Sequence, residues 1–352
     1  MKTPVRIILA LLCAGLVALM PFVLSAPNLL DDVKWQLMED MDDDSAGLPL
    51  LFVSAARAES TVQVETEESP YALPLDFTPG FAPNPACFTE DGYEDDSIRV
   101  QMETREQDGT VYRIAWVEIA SPSQLRTAIA GGDKVTSTKE AHVDEMAKLN
   151  HAIVAINGDF YSHDANKTTY EYRMGVKIRT NTNQAKDMLI IDDQGDFHIV
   201  MAQKKDAQKA ELQALADEYT IMNAFTFGPA LVKDGELITC RKDYGYAPND
   251  KTARTALGQL DSLSYVFVVA EGKETPVKGL THQQLANFMF ELGCRDAFNL
   301  DGGGSSYLYW GAPGFTGPTA NHPMYYNVMM AGHRTISDII YFATAVPEEE
   351  WK

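Results

Sequence analysis

The chain has 352 residues, of which 45% are hydrophobic, and it carries a formal net charge of −21 at pH 7. This length and apolar content suffice for one large packed domain or two small ones, which excludes a fibrous or wholly disordered chain. The negative charge repels polyanions, so we expect no nucleic-acid partner.

The N-terminus has the pattern of a targeting segment. Lys2 and Arg6 precede an uncharged apolar run over residues 7–24. This pattern predicts either a cleaved signal peptide or a signal anchor over residues 1–26. Both interpretations predict an extracellular protein, secreted or held at the membrane only through this segment.

Residues 27–96 contain acidic clusters and repeated prolines, which predict an extended stalk or linker. A folded domain is predicted over residues 97–346, followed by a short tail, residues 347–352. Three cysteines lie within or beside this domain, Cys87, Cys240 and Cys294. Their wide spacing excludes a cysteine zinc site and leaves two alternatives, one disulfide with a spare thiol or three thiols.

Alternating and helical patterns then follow one another along the chain. Hairpins are predicted at residues 98–103 and 111–119 around Asp108-Gly109, at 188–192 and 196–201 around Gln194-Gly195, and between the buried strands at 255–260 and 264–270. Helices are predicted at residues 139–150, 204–219 and 281–292, the last with a capping box. Further strands are predicted at residues 152–156, 220–228, 230–238, 255–260, 264–270, 296–300, 307–310 and 336–343. We therefore expect a single α+β domain with mixed, largely antiparallel sheets and flanking helices, not a doubly wound fold.

The strongest local feature is the run Asn299-Leu300-Asp301-Gly302-Gly303-Gly304-Ser305-Ser306. Glycines at a strand end let the backbone approach a ligand and direct N–H groups at an anion, and a strand end holds a carboxylate rigidly. A flexible turn is the alternative, although an ordinary hairpin needs fewer glycines. The run lacks the Lys-Ser/Thr ending of a Walker loop.

A second feature is Ile156-Asn157-Gly158-Asp159-Phe160-Tyr161. Asn-Gly between apolar residues is also typical of a hairpin turn. The acid directly after the glycine, followed by a polar loop, favours catalytic side chains at a sheet edge, namely Asn157 and Asp159.

Three basic residues are each expected to open a strand, Arg254, Arg334 and Lys177. A guanidinium group matches two phosphate oxygens, so the two arginines are candidates for phosphate binding, with ordinary surface positions as the alternative. The sequence contains no His-Glu-x-x-His, nucleophile elbow or dinucleotide fingerprint, which argues against zinc proteases, typical esterases and dinucleotide enzymes.

Taken in order, these segments resemble the phosphodiester glycosidase family over residues 97–345. The matching pieces are Ala155-Ile156-Asn157-Gly158-Asp159-Phe160-Tyr161, Gly228-Pro229-Ala230-Leu231, Asp234-Gly235, Arg254-Thr255-Ala256-Leu257-Gly258, the capped helix, the Asn299–Ser306 run and Arg334. The resemblance implies a catalytic domain that hydrolyses the glycosidic bond of a sugar-1-phosphate diester, of N-acetylglucosamine or exopolysaccharide type. The family often has Glu before the closing arginine, where this chain has His333.

On this hypothesis Asp159 and Asp301 are the base, nucleophile or charge stabiliser, and Asn157 and Ser305 orient sugar or water. The predicted substrate-binding and phosphate-binding set is Arg254, Arg334, Lys177, Ser305, Ser306 and the N–H groups of Gly302, Gly303 and Gly304. A divalent cation stays open as a cofactor, and the expected partner is a sugar-phosphate or polysaccharide substrate. Two alternatives remain, a phosphodiesterase that cuts the P–O bond and a non-catalytic carbohydrate-binding surface module.

Overall fold

The computed structural model describes residues 69–135, 138–160, 169–183, 185–272, 278–314 and 334–351, all within one compact unit, residues 66–352. The predicted signal segment, residues 27–68 of the predicted stalk, and His333 lie outside the described residues. In the described part of the chain, no helix is both long and apolar enough to cross a membrane.

Three α-helices are described, and each lies inside a range predicted from the sequence. They are α1 (Val143–Leu149), α2 (Lys205–Glu218) and α3 (His282–Glu291). The predicted capping box precedes α3. The backbone N–H of Gln284 donates to Thr281 Oγ1 at 3.2 Å, and that of Thr281 donates to Gln284 Oε1 at 3.1 Å. These two bonds satisfy N–H groups that the first helical turn leaves without an intrahelical acceptor.

Seventeen strands are described. They are β1 (Gly92–Glu94), β2 (Ile98–Gln107), β3 (Thr110–Ile119), β4 (Leu125–Ile129), β5 (Val154–Asn157), β6 (Tyr170–Arg173), β7 (Val176–Thr180), β8 (Met188–Asp192), β9 (Phe197–Val200), β10 (Ile221–Phe225), β11 (Ala230–Lys233), β12 (Glu236–Leu237), β13 (Arg254–Asp261), β14 (Ser264–Ala270), β15 (Asp296–Asn299), β16 (Leu308–Trp310) and β17 (Asp338–Phe342).

The described strands form three sheets. Their orders are β1-β2-β3-β14-β13-β15-β11-β12, β7-β6-β10-β8-β9 and β16-β5-β17-β4. All pairings between described strands are antiparallel. The helices flank these sheets, so the predicted α+β class is confirmed, and no doubly wound sheet is present in the described residues.

The predicted hairpins are confirmed, including the pairing of β13 with β14. Strands β2 and β3 turn at Asp108 and Gly109, which both have positive φ (53° and 76°) as a tight hairpin turn requires. Strands β8 and β9 are paired across Gln194-Gly195. Strands β1, β4 and β6 were not predicted. β4 and β6 carry buried charged residues, which break the apolar pattern.

The three sheets share one apolar core. It contains Phe267 from the eight-stranded sheet, Phe225 from the five-stranded sheet and Phe342 from the four-stranded sheet. The helices cover other faces. Phe288 of α3 packs on the eight-stranded sheet, Met146 of α1 on the four-stranded sheet, and Leu212 of α2 on the five-stranded sheet. The three sheets are therefore packed against one another in one domain.

Residues 69–96 lie against this core, ahead of the domain boundary predicted at residue 97. Leu73 is buried, and β1 is paired with β2. The buried guanidinium group of Arg126 donates to the carbonyl oxygens of Pro74, Asp76 and Thr78 at 2.6–3.0 Å. These bonds hold the proline-containing segment in place through its carbonyl groups. The described cysteines Cys87, Cys240 and Cys294 are free thiols.

Candidate active site

The two acidic motifs predicted from the sequence lie side by side, at the ends of β5 and β15. The backbone N–H of Asp301 donates to the carbonyl oxygen of Gly158 at 3.3 Å. The side-chain amide of Asn157 donates to the carbonyl oxygen of Asp301 at 2.8 Å. The structure thus joins the motif of Asn157 and Asp159 to that of Asp301 through the Asp301 backbone. The chain makes no hairpin at Asn157-Gly158, because β5 lies between β16 and β17.

Asn157 is a clamp between strands. Its Oδ1 accepts from Thr255 Oγ1 of β13 at 2.8 Å and from the backbone N–H of Tyr307 at 3.1 Å. With the bond to Asp301, its side chain joins three segments while being 1% exposed. We therefore assign Asn157 a positioning role, which differs from the predicted direct contact with sugar or water.

Gly158 allows a carboxylate to pack against the backbone. A Cβ atom at this position would lie 2.5 Å from Cγ of Asp338. The Gly158 N–H also donates to the Asp338 carbonyl oxygen at 2.9 Å. Any larger residue would displace Asp338 from its position under the motif.

Asp159 is a buried carboxyl group, 2% exposed. Its Oδ2 accepts from the backbone N–H of Thr226 at 2.8 Å, while Oδ1 has no hydrogen-bond partner among the described residues. Burial raises the pKa of Asp159 to about 7, against the lowering effects of Arg173 and the Thr226 N–H. A carboxyl group of this kind gains and loses its proton near neutral pH.

Arg173 holds a buried charge cluster beneath Asp159, which the sequence reasoning missed. Its Nε and Nη2 both lie 2.7 Å from Asp338 Oδ2. Nη2 is also 3.9 Å from Glu171 and 4.0 Å from Asp159. The side chain is fully buried, with Cζ 4.2 Å from the centre of the Phe225 ring. One feature of the sequence could have indicated this cluster. Glu171 and Arg173 are two residues apart and therefore lie on one face of a short strand.

The triglycine bend packs tightly on the start of β13. The Gly302 N–H donates to Asp301 Oδ1 at 2.8 Å, and the Gly303 N–H donates to the Ala253 carbonyl oxygen at 2.9 Å. A Cβ atom on Gly302 would lie 2.8 Å from that same carbonyl oxygen. These two N–H groups are therefore used within the chain, and the bend differs here from the predicted phosphate cradle.

Arg334 lies at the surface of the bend. Its backbone N–H donates to the Gly304 carbonyl oxygen at 3.2 Å, and its Nη1 donates to Ser305 Oγ at 3.3 Å. Arg334 is exposed, whereas Ser305 and Ser306 are buried. The two serines therefore support the bend from inside, and Arg334 places a cation at its surface beside Ser305.

Arg254 lies next to the bend but is directed into the protein. A guanidinium group has five N–H donors. In Arg254 they are directed, at 2.7–3.3 Å, to Nε2 of His282 and to the carbonyl oxygens of Leu280, Tyr246, Ala247 and Asp250. Burial, then the charge of Arg254, lowers the pKa of His282 to about 2, which keeps its imidazole a neutral acceptor. Because its donors are engaged in this way, Arg254 fixes the loop before β13 and is not placed to clamp a phosphate as predicted.

Lys177 lies apart from this cluster. It is exposed on β7, the edge strand of the five-stranded sheet, opposite Tyr172. No contact described in the structure connects its side chain with Asp159 or Asp301, so the structure does not bring it together with the other predicted residues.

A wall of aromatic rings, which the sequence reasoning also missed, adjoins Asp159. Phe160 packs on Phe227 and Tyr246, with ring centres 5.0 Å and 5.6 Å apart. The ammonium group of Lys186 lies 3.8 Å from the centre of the Tyr246 ring. The residues come from three separate segments, and no local pattern joins them.

Within the described ranges, no group of three or more His, Cys, Asp and Glu side chains is arranged to hold a metal ion.

Comparison with known proteins adds three findings. A family model described as phosphodiester glycosidase matches residues 150–343, more than half of the chain. The SPbeta prophage-derived uncharacterized protein YomE of Bacillus subtilis is 27% identical over 174 residues, 48% of this chain and 26% of its own length. The chain thus spans about a quarter of the length of this curated relative.

The third finding is a solved structure, the catalytic domain of zebrafish N-acetylglucosamine-1-phosphodiester alpha-N-acetylglucosaminidase, auto-inhibited by its pro-peptide. It matches with a TM-score of 0.55 and 18% identity, covering 72% of this chain and 87% of that one. This likeness is one of fold.

Proposed function

This chain belongs to the phosphodiester glycosidase family, and on that premise we propose that it hydrolyses the glycosidic bond of a sugar-1-phosphate diester. The products are the free sugar and a phosphomonoester. The observation that carries the proposal is that the two acidic motifs are joined through the Gly158–Asp301 and Asn157–Asp301 hydrogen bonds. Enzymes that hydrolyse glycosidic bonds usually act with two carboxyl groups on either side of the bond.

In the proposed reaction, the bond between the sugar C1 atom and the phosphate oxygen breaks, and the phosphate leaves with the electron pair. A water oxygen bonds to C1, and its proton passes to Asp159. The pKa of about 7 suits Asp159 to accept a proton at neutral pH. Asp301, whose Oδ1 is fixed by the Gly302 N–H, stabilises the positive charge that develops on the sugar.

Arg334 is the proposed phosphate ligand. It is exposed at the bend and is held there through Ser305 and Gly304. A guanidinium group forms paired, charge-assisted hydrogen bonds with phosphate oxygens. Because phosphate is a good leaving group, a fixed cation replaces much of the protonation that an alcohol leaving group needs.

Hydrolysis in ¹⁸O-labelled water tests the bond that is cut. The purified protein is incubated with N-acetylglucosamine-1-phosphate diesters and glucose-1-phosphate diesters, and the phosphomonoester product is examined by mass spectrometry. We expect free sugar and an unlabelled phosphomonoester. The phosphate is the group to examine, because the C1 oxygen of a free sugar exchanges with water. Preformed phosphomonoester in labelled water is the control.

One label in the phosphomonoester would instead identify a phosphodiesterase that cuts the P–O bond. Sugar binding without turnover of any diester would identify a carbohydrate-binding module. Either result would overturn the proposal.

The sugar and the location are further parts of the proposal. The zebrafish relative's name specifies an N-acetylglucosamine-1-phosphodiester, which supports an N-acetyl sugar or a related envelope polysaccharide as substrate. The apolar run over residues 7–24 supports an extracellular location. Comparison of kcat/KM between the two sugar series, and fractionation of the host cells, test these points separately.

A further inference from the structure

Lys186 is a buried lysine held among aromatic rings. It is 9% exposed, and its Nζ donates to the Phe227 carbonyl oxygen at 3.2 Å. Nζ lies 3.8 Å from the ring centre of Tyr246 and 4.8 Å from that of Tyr244. The rings of Phe227 and Phe160 follow at 5.8 Å and 6.0 Å. Four rings therefore surround one ammonium group, which favours its charged form through cation–π attraction.

The same short segment binds both Lys186 and Asp159. The Thr226 N–H donates to Asp159 Oδ2, and the carbonyl of the next residue, Phe227, accepts from Lys186 Nζ. Phe160, which follows Asp159, contributes one of the four rings. The Lys186 ammonium and the Asp159 carboxyl group are thus held in relation to each other in two ways. One is the adjacent pair Thr226 and Phe227, and the other is Phe160 next to Asp159.

The wall around Lys186 is itself held tightly. The Tyr244 hydroxyl accepts from the Asp187 N–H at 3.0 Å and packs so closely on Gly228 that a Cβ atom there would collide with it. The Tyr246 carbonyl oxygen accepts from Arg254 Nη1 at 3.3 Å. Arg254 therefore acts on the site through the loop that carries Tyr246.

We propose that Lys186 is a positioning residue of the active site, whose ammonium group favours the carboxylate form of Asp159 against the effect of burial and holds the aromatic wall beside it. Its effect on catalysis rests on the function proposed above. Its effect on Asp159 does not.

The direction of this effect follows from reciprocity. Burial lowers the pKa of Lys186 to about 8, and the charge of Asp159 is the largest effect that opposes this lowering. If Asp159 favours the ammonium form, the ammonium must favour the carboxylate form of Asp159 by the same free energy. The other charged groups that act on Asp159 are Arg173, Asp338 and Glu171, and those that act on Lys186 are Asp187 and Arg241. None of these changes when Lys186 alone is replaced.

Carboxyl ¹³C NMR of the full chain labelled at aspartate tests the proposal. The Asp159 signal is assigned by its loss in D159N, and its titration midpoint is then compared between wild type, K186M, K186R and K209M. We expect K186M to raise the midpoint by about one pH unit, because a neighbouring opposite charge has been removed. K186R, which keeps the charge, should restore most of the shift. K209M makes the same charge change at an exposed position on α2 and should leave the midpoint unchanged.

The reciprocal measurement covers the case in which K186M does not fold. In D159N, labelled-lysine NMR should show the Lys186 midpoint lowered, because the carboxylate that supports the ammonium is gone. An unchanged Asp159 midpoint in folded K186M, or an unchanged Lys186 midpoint in D159N, would overturn the proposal.

Activity separates this inference from the proposed function. With a diester substrate, the acidic limb of the kcat profile should move upward in K186M together with the Asp159 midpoint. If the NMR midpoint moves and the wild-type protein cleaves no diester, the coupling stands and the proposed function fails. If the limb stays in place while the midpoint moves, Asp159 is not the proton acceptor.

Discussion

The side-chain amide of Asn157 donates to the backbone carbonyl oxygen of Asp301 at 2.8 Å, so that one buried hydrogen bond joins the two acidic motifs of the chain. The motifs lie on different strands, β5 and β15, which belong to different sheets. The relative position of Asp159 and Asp301 therefore depends on Asn157 more than on pairing within one sheet.

Replacement of this clamp should affect stability and activity together. N157A leaves partners on Thr255, Tyr307 and Asp301 unsatisfied, so we expect a loss of about 2–4 kcal/mol in the free energy of unfolding. Urea titration measures the loss. N249A, at an exposed asparagine, is the control and should change stability by less than about 0.5 kcal/mol.

Asp301 should be needed for chemistry and not for folding. D301N keeps the shape of the side chain and an oxygen that can accept from the Gly302 N–H. We expect kcat on a sugar-1-phosphate diester to fall by about 10²–10⁴ because the negative charge opposite the sugar is lost. The thermal midpoint should stay near that of wild type. D243N, at a side chain that is 89% exposed, is the matched control. Turnover by D301N at the wild-type rate would remove Asp301 from the mechanism.

Arg334 should act mainly through binding of the phosphate. R334Q is expected to raise KM by about tenfold or more, because a charge-assisted contact with phosphate is lost. Since the residue is exposed, stability should change little. R99Q removes an exposed arginine elsewhere and serves as the control. An unchanged KM for R334Q, measured at low salt where surface charges act most strongly, would contradict this assignment.

Replacement of Arg254, unlike that of Arg334, should affect stability first and phosphate binding only through it. R254Q removes most of the donors that hold the loop before β13, so we expect unfolding to become easier by about 3 kcal/mol. Activity should fall in proportion to the fraction of folded protein, and further because the loop that carries Tyr246 is no longer held by Arg254. The result that contradicts this is a stable R254Q protein with a selective loss of phosphate binding.

Asp159 should make the free energy of unfolding fall as the pH rises from about 4 to 7. Its folded-state pKa of about 7 lies above the ordinary value of 3.8, so folding favours the protonated form. The stabilising contribution is thus present below about pH 4 and is lost as pH rises towards 7. In D159N this loss should disappear, and stability between those values should fall less steeply than in wild type. Denaturant unfolding at several pH values, with D243N beside it, measures the difference.

Local chemistry made part of the fold predictable. The Asp108-Gly109 turn and the Thr281 capping box act over a few residues, and the structure has both. Strand β6 was missed because Glu171 and Arg173 are charged and yet buried. Their burial depends on Asp338, far along the chain, and on Arg179 across the hairpin.

The sequence indicated where the two acidic motifs stand, but not how the basic residues are directed. Both motifs follow strands that can be read from apolar runs, and the structure joins them through hydrogen bonds to the Asp301 backbone. The catalytic roles of Asp159 and Asp301 stay predictions. Arg254 and Arg334 look alike in the sequence, since each precedes a strand. Only the three-dimensional fold shows that one is directed at backbone carbonyl groups and the other at the surface. The aromatic wall around Lys186 comes from separate loops and leaves no local pattern.

The position of β17 has a consequence for biosynthesis. It is the last strand of the described chain, yet it lies between β5 and β4, which are joined to each other only through it. Asp338, the closest ionic partner of Arg173, enters with that strand. A nascent chain on the ribosome therefore carries Arg173 without this counter-ion until β17 has been synthesised. The charge cluster of Arg173 would then form only after β17 has been inserted between β5 and β4.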